Sequence, residues 1–469
     1  MNCNYLFIAL LLPSVLLSQV DRSIQPKATE APLINFNDSE VFKLDNGLTV
    51  ILSENHKIPK VSFSIEYGSE SQLEGKKIGL GNITSDLAMT GTLSRTKDQI
   101  NNEIDLIGAQ IGTGTKNMYL ECLTKHQKKG LTILTDILMN ATFPKNEFKR
   151  LMNRKSSEIL SKQSDPNFMA LNALLSVNFG SNHPLGEIET EATLKNITRK
   201  DVVNYYKTHY SPKGSYLVVV GDITLAQLKE VCAEYFSKWN GSITSKTEST
   251  FVKNLTSNEV YFINKPNAVQ SVITITFPLN MKSGDINQLP LNVLNGIYGG
   301  SGFAARLTQN LREKHGFTYG CYSKANVTDD GSWLSISGNF RNNVTDSAIT
   351  EILAEFKKIQ TELVTEEELS TLKASISGTF SRSFESPSTI AKYAYNIIKY
   401  GHSKDYYKTY LKRLNSITTS DLQAISKKYL SSGLNIIVVG NSEVVEKISR
   451  FDSDGKIKHL DTFGKEIIK

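Results

Sequence analysis

Cysteine is nearly absent: four residues in 469, Cys3, Cys122, Cys232 and Cys321. They are widely spaced and form no C-x-x-C pair, so neither a disulfide framework nor a thiolate metal site is written into the chain. The last three read as small buried hydrophobes. Histidine is thin as well. The seven histidines are His56, His126, His183, His209, His315, His402 and His459. No two lie three to five residues apart, which excludes a helical imidazole chelate. Charge of one sign is not concentrated either. Lys and Arg number 53 against 47 Asp and Glu, a net +6. They are scattered, without the dense basic run of a nucleic-acid binder. The glycines at 299–302 are followed by no Lys-Ser/Thr, and no G-x-G-x-x-G stands after a strand, so a nucleotide loop is excluded too. Past the N-terminus no segment reaches the roughly 18 apolar residues of a membrane span.

What is present is globular. Apolar residues make up 39% and charged residues 21%, enough to bury a core in each of about two to four domains. The chain opens MNCNYLFIALLLPSVLLSQ, apolar from Tyr5 to Leu17. That is the length of a signal-peptide core and short of a span, although the usual basic n-region is missing. The expectation is a signal peptide over 1–19 and an exported, periplasmic protein. Residues 20–38 read as an extended lead-in.

Pattern begins at residue 39. VFKLDNGLTVILSENH predicts a strand, a turn at Asp45-Asn46-Gly47 and a second strand; PKVSFSIEYGS alternates as a third. The strongest organisational signal is a repeat. ITRKDVVNYYKTHYSPKGSYLVVVGDIT starts at Ile197 and ITTSDLQAISKKYLSSGLNIIVVGNSE at Ile417, 220 positions later, while Gly221 and Gly440 lie 219 apart. Each copy predicts a Thr N-cap, an amphipathic helix, a turn and an apolar strand ending in Val-Gly. A period this long is a duplicated domain. The expected division is 39–240, a Ser/Thr/Gly-rich linker at 241–251, and 252–460. The predicted class is α+β: two tandem homologous domains, each an antiparallel-rich sheet covered by helices.

KKIGLGNITSDLAMTGTLSRT, residues 76–96, predicts a helix with Asn82, Ser85 and Asp86 on one face. With EIDLIGAQIGTGT after it, this stretch resembles the pitrilysin/insulysin peptidases, whose pattern here is roughly G-[LI]-A-H-F-L-E-H-M-x-F-x-G-T. Gly79-Leu80 and Gly91-Thr92 match the flanks. The family's H-x-x-E-H supplies two zinc ligands and a general base. In their places stand Asn82, Ser85 and Asp86. The third ligand, a Glu of a later helix, matches Glu158 through NATFPKNEFKRLMNRKSSEI. An amide is a poor zinc ligand and a serine a poor base near neutral pH. Asp86 and Glu158 alone form at most a weak oxygen site better suited to Mg²⁺ or Ca²⁺. His183, in NHPLGEIET, matches an H-P-x-G segment and reads as structural.

GIYGGSGFAARLTQNLREKHGFTYGCYSKA, residues 296–325, predicts a helix through Leu311, a stop at Lys314-His315-Gly316 and a strand from Phe317. It resembles the same family's G-G-x-F-x-S-R-L-x-x-x-L-R-E-x-x-G-x-x-Y. There, an Arg and a Tyr seven residues apart bind the substrate backbone near the scissile bond. Arg312 and Tyr319 match in identity and spacing. Guanidinium and phenol are hydrogen-bond donors suited to a carbonyl gaining negative charge.

The resemblance implies a non-catalytic, peptide-binding subunit. It would hold no metal or other cofactor and would supply Arg312 and Tyr319 to an H-x-x-E-H-bearing partner that carries the zinc, as a heterodimer without nucleic acid or a membrane span. A scaffold or peptide-binding protein outside proteolysis is the alternative. A self-sufficient peptidase with an unusual metal comes third, opposed by Asn82 and Ser85.

Overall fold

The computed structural model describes residues 39–241, 252 and 255–468. The expected signal peptide (1–19), the lead-in (20–38) and residues 242–251 of the expected linker lie outside the described residues.

Two six-stranded sheets organise the chain. The first contains β1 (Glu40–Lys43), β2 (Thr49–Glu54), β3 (Lys60–Glu66), β4 (Gln110–Thr113), β5 (Asn117–Leu123) and β6 (Tyr216–Gly221), in the order β1-β2-β6-β3-β5-β4. The second contains β7 (Glu259–Asn264), β8 (Gln270–Pro278), β9 (Cys321–Val327), β10 (Ser332–Arg341), β11 (Asn435–Gly440) and β12 (Lys458–His459), in the order β12-β7-β11-β8-β10-β9. Five strands correspond one to one. In each sheet the first is parallel to the Val-Gly strand and the remaining neighbours are antiparallel. The sheets differ only at one edge, where β1 is antiparallel to β2 and β12 is parallel to β7.

The repeat read from the sequence therefore marks two equivalent units. Arg199–His209 and Thr419–Tyr429 are the paired helices. Each opens with a reciprocal capping box, Thr198 with Asp201 and Thr418 with Asp421. These boxes satisfy N–H groups that a helix start leaves open. Gly221 and Gly440 end the central strands β6 and β11.

Four further helices place the site: α1 (Leu80–Ala88), α2 (Lys145–Lys162), α3 (Pro166–Phe179) and α4 (Pro387–Tyr400). One face of the first sheet, with Val50, Leu52, Phe63, Ile65, Leu120 and Val219, packs on Ile83 and Leu87 of α1 and on Leu151 and Ile159 of α2. The other face is covered too, by a helix from the opposite half. Ile51, Val218 and Val220 meet Ala391, Ala394, Tyr395 and Ile398 of α4. The second sheet receives α3 in return: Met169, Ala170, Ala173 and Leu174 pack on Ile263, Val272, Ile437 and Val439. This exchange explains why YLVVVG and NIIVVG are apolar throughout: a strand covered on both faces has no solvent side to alternate with. Both sheets lie in one compact unit. No helix among the described residues is long and apolar enough to cross a membrane.

Candidate functional site

The helix that matches the family's metal-binding segment, with its ligand positions replaced, forms as α1. Its N-terminus is held by Glu74, whose carboxylate accepts from the N–H groups of Gly79 (2.6 Å), Leu80 (3.0 Å) and Gly81 (2.7 Å). Glu187 in turn accepts from the N–H groups of Glu74 and Gly75. Burial pushes the Glu74 carboxyl above its ordinary range, the three N–H groups oppose that rise, and Glu187 adds to it.

Asn82, Ser85 and Asp86 share a face as expected, and each is engaged. Asn82 donates its amide to Glu189 at 3.4 Å. Ser85 is buried and donates its hydroxyl to the Asn82 carbonyl at 3.0 Å, which spends its proton inside the helix. Asp86 is paired with Lys155 of α2 at 2.9 Å. Glu158 lies one turn further along α2, 4.0 Å from the same ammonium and 3.5 Å from Arg154. The two carboxylates that match ligand positions thus converge on an ammonium. Zinc does not fit this set. An amide and a hydroxyl replace an imidazole and a base, and an incoming dication would face Lys155. Among the described residues no group of three or more His, Cys, Asp and Glu is placed to hold a metal. His183 is buried, accepts from the Leu185 N–H at 3.1 Å and stacks on Phe179, a structural role.

The second candidate segment departs from the simple helix expected. Residues 296–314 wind through a wide turn at Gly296–Gly300, a tight one at Gly302–Ala304, an α-turn at Arg306–Thr308 and a widened turn at Gln309–Lys314. Four glycines, Gly296, Gly299, Gly300 and Gly302, together with Ser301, weaken regular winding, and tertiary anchors hold the path instead. Arg306 clamps Glu368 with two bonds, 2.6 and 2.8 Å. Asn310 donates to Glu351 and Glu355. Leu307 and Leu311 are fully buried. The Arg306 guanidinium holds the Glu368 carboxyl down to about 2, against an opposing rise from burial.

Gly316 ends the segment at φ +60, a conformation open to glycine, and the Phe317 N–H closes onto the Leu311 carbonyl. The expected strand begins later than the alternation suggested. Tyr319 precedes β9, which starts at Cys321, and so stands in the loop. It is 90% exposed. Arg312 reaches it directly: Nη1 donates to the Tyr319 carbonyl at 3.3 Å, while the guanidinium lies 4.7 Å from the Phe303 ring centre and 3.3 Å from Glu313. Arg312 and Tyr319 thus meet on one surface. Asn82, Ser85, Asp86 and Glu158 form a separate group on α1 and α2.

Sequence reasoning missed Lys155, Phe303, Arg306 and Glu74. Lys155 carried one faint signal, its place three residues before Glu158 on one helical face. Its bond to Asp86 is tertiary and has no local signature.

Residues 49–188 match the family profile "Insulinase (Peptidase family M16)" and residues 196–376 match "Peptidase M16 inactive domain". An uncharacterized zinc protease of Bacillus subtilis, YmxG, is 26% identical over 352 residues, covering 74% of this chain and 84% of that one. Among solved structures, a peptidase M16 inactive domain from Pseudomonas fluorescens superposes with a TM-score of 0.79 at 19% identity, covering 87% of this chain and 99% of that one. The periplasmic protease PqqL of Escherichia coli superposes with a TM-score of 0.73 at 13% identity, covering 92% of this chain but 49% of PqqL.

Proposed function

The chain belongs to the insulinase-like (M16) peptidase family, and we propose that within it this chain is a non-catalytic, peptide-binding subunit working with an H-x-x-E-H-bearing partner. The observation that carries the reading is the Arg312–Tyr319 pair. One guanidinium bonds the neighbouring backbone, and the phenol stands 90% exposed. A tyrosine so exposed contributes little to packing, yet the segment leading to it is anchored by Arg306 and Asn310. Two donors on a braced surface suit the carbonyl of a bound peptide, where negative charge develops during attack.

The α1 site supports the other half of the reading. Ser85 donates its hydroxyl hydrogen to the Asn82 carbonyl, and a neutral hydroxyl is too weak a base to deprotonate water near neutral pH, while the Asp86 and Glu158 carboxylates face Lys155. Water activation thus falls to the partner. The likeness to PqqL, of which this chain spans about half, concerns fold alone. The peptide adds as a strand along a sheet edge, where backbone pairing gives affinity with little sequence preference. Both β4, which lies against α1 through the Thr113–Ser85 bond, and β9, just after Tyr319, are edge strands. We take 39–240 and 252–460 as the two halves and, from the apolar stretch Tyr5–Leu17, an exported, periplasmic protein.

The test is reconstitution. The chain alone should not cleave unstructured peptides and should hold less than one equivalent of zinc. With the H-x-x-E-H relative from the same genome it should form a heterodimer that cleaves. Chelator-sensitive cleavage by the homogeneous single chain would overturn the reading. A heterodimer in which this chain is dispensable for cleavage would move it to the scaffold alternative.

A further inference from the structure

The mismatch between the α1–α2 site and a metal involves more than lost ligands. We propose that Lys155 is a resident cation: its ammonium takes the place a divalent ion would take between Asp86 and Glu158, ties α1 to α2, and keeps metal out. The inference stands on the α1–α2 geometry and is independent of the partner-subunit reading.

Three observations carry it. The two carboxylates come from different helices and would repel one another without a counter-charge. The Lys155 ammonium answers both, at 2.9 Å from Asp86 and 4.0 Å from Glu158. Lys155 is also the least exposed of the three, its side chain 22% accessible against 34% for Asp86 and 43% for Glu158. Arg150 and Arg154, on the same helix, are 71% and 60% exposed. Lys155 thus differs from them in being drawn into the interface. Its stem starts on the helical face that carries Glu158, so the ammonium is delivered from within the wall of the site. Asn82 and Ser85 are already bonded elsewhere. Those bonds spend their donors, and the neutral oxygens that remain compensate a dication poorly for the repulsion of an ammonium a few ångströms away. An ordinary surface ion pair contributes little and excludes nothing, so the two readings separate in experiment.

The full chain is purified as wild type, Asp86→Asn, Lys155→Met, Lys155→Arg, and Lys155→Met combined with Asp86→Asn. Thermal unfolding is followed with EDTA or with Mn²⁺, and Mn²⁺ binding is measured by calorimetry. The wild-type midpoint should move with neither reagent. Lys155→Met keeps the apolar stem, frees Asp86 and leaves Glu158 with only the exposed Arg154 beside it. It should melt lower, regain stability with Mn²⁺, and bind the ion at least about tenfold more tightly than wild type. Adding Asp86→Asn should abolish that gain. Lys155→Arg keeps a cation and should remain blind to Mn²⁺, which serves as the readout if the methionine variant does not fold. Wild-type binding of Mn²⁺ that is lost with Asp86→Asn would overturn the proposal. So would a Lys155→Met chain unchanged in both midpoint and Mn²⁺ affinity, or a Lys155→Arg chain that takes up the ion.

Discussion

At the scale of single residues, the site divides into groups that hold and groups that are held ready. Under the proposed function Arg312 and Tyr319 are held ready for a bound peptide, and their roles separate by substitution. Tyr319→Phe removes one donor from an exposed ring and should leave folding intact. In the reconstituted complex it should lower turnover by on the order of 10²–10³, the loss seen when a donor aimed at developing negative charge is removed. Arg312→Lys should fail similarly, because a point charge reproduces neither the planar fork nor the stacking on Phe303. Partner affinity, measured alongside, should not change. Wild-type turnover in both variants would make the pair structural. Glu368 belongs to the groups that hold. Its carboxyl is drawn down to about 2 by Arg306, below the roughly 4.3 of an unfolded chain. A depressed folded value means the pair stabilises fully above about pH 4.3 and loses that contribution as pH falls toward 2. Denaturant titrations across this window should show a shallower loss for Glu368→Gln than for wild type; equal slopes would argue that Arg306 does not engage it in solution. The Arg-Tyr spacing was legible in the sequence because both residues lie seven apart on one continuous segment. Lys155 was not, because its partner Asp86 is 69 residues away in the chain.

At the scale of elements, the two halves reuse one plan with different local constraints. The helices Arg199–His209 and Thr419–Tyr429 share a capping box and lead into β6 and β11. Yet the matched glycines that end those strands are not equivalent. Gly221 has φ +125, and a Cβ there would stand 2.1 Å from the Lys60 carbonyl oxygen. At Gly440 the nearest atom is the Ser271 hydroxyl oxygen, 2.8 Å away, and φ lies outside the left-handed range. A side-chain tip can turn aside; a paired backbone cannot. Gly221→Ala should therefore cost more stability than Gly440→Ala, by about 1–3 kcal/mol. Chemical denaturation of both variants measures the difference, and equal losses would show that β6 shifts to make room. The sequence aligned the two glycines correctly, but φ and the approach of β3 are set by pairing across the sheet.

At the scale of the whole molecule, the exchange of helices makes the two halves interdependent. α3 leaves the first half to cover β8 and β11, and α4 leaves the second to cover β2 and β6. Either half alone would expose an apolar sheet face. The chain should unfold in one cooperative transition, and 39–240 or 252–460 expressed alone should be insoluble or molten. Co-expression of the two should restore a folded pair. Soluble, sharply melting single halves would contradict the exchange. Ala173→Glu on α3 should also destabilise both halves together, since Ala173 is fully buried against the second sheet. The sequence by itself determined the duplication, most of the strand and helix types, the replacement of H-x-x-E-H by Asn82, Ser85 and Asp86, and the Arg312–Tyr319 spacing. Those properties are carried by residue type and by periodicity along a continuous stretch, which are local. Only the tertiary structure decided which helix covers which sheet, that Tyr319 stands in a loop ahead of β9, and that Lys155 fills the gap between Asp86 and Glu158. Each of these depends on residues far apart in the chain, brought together because burial rewards apolar surface without regard to sequence distance, and opposite charges then settle wherever packing places them.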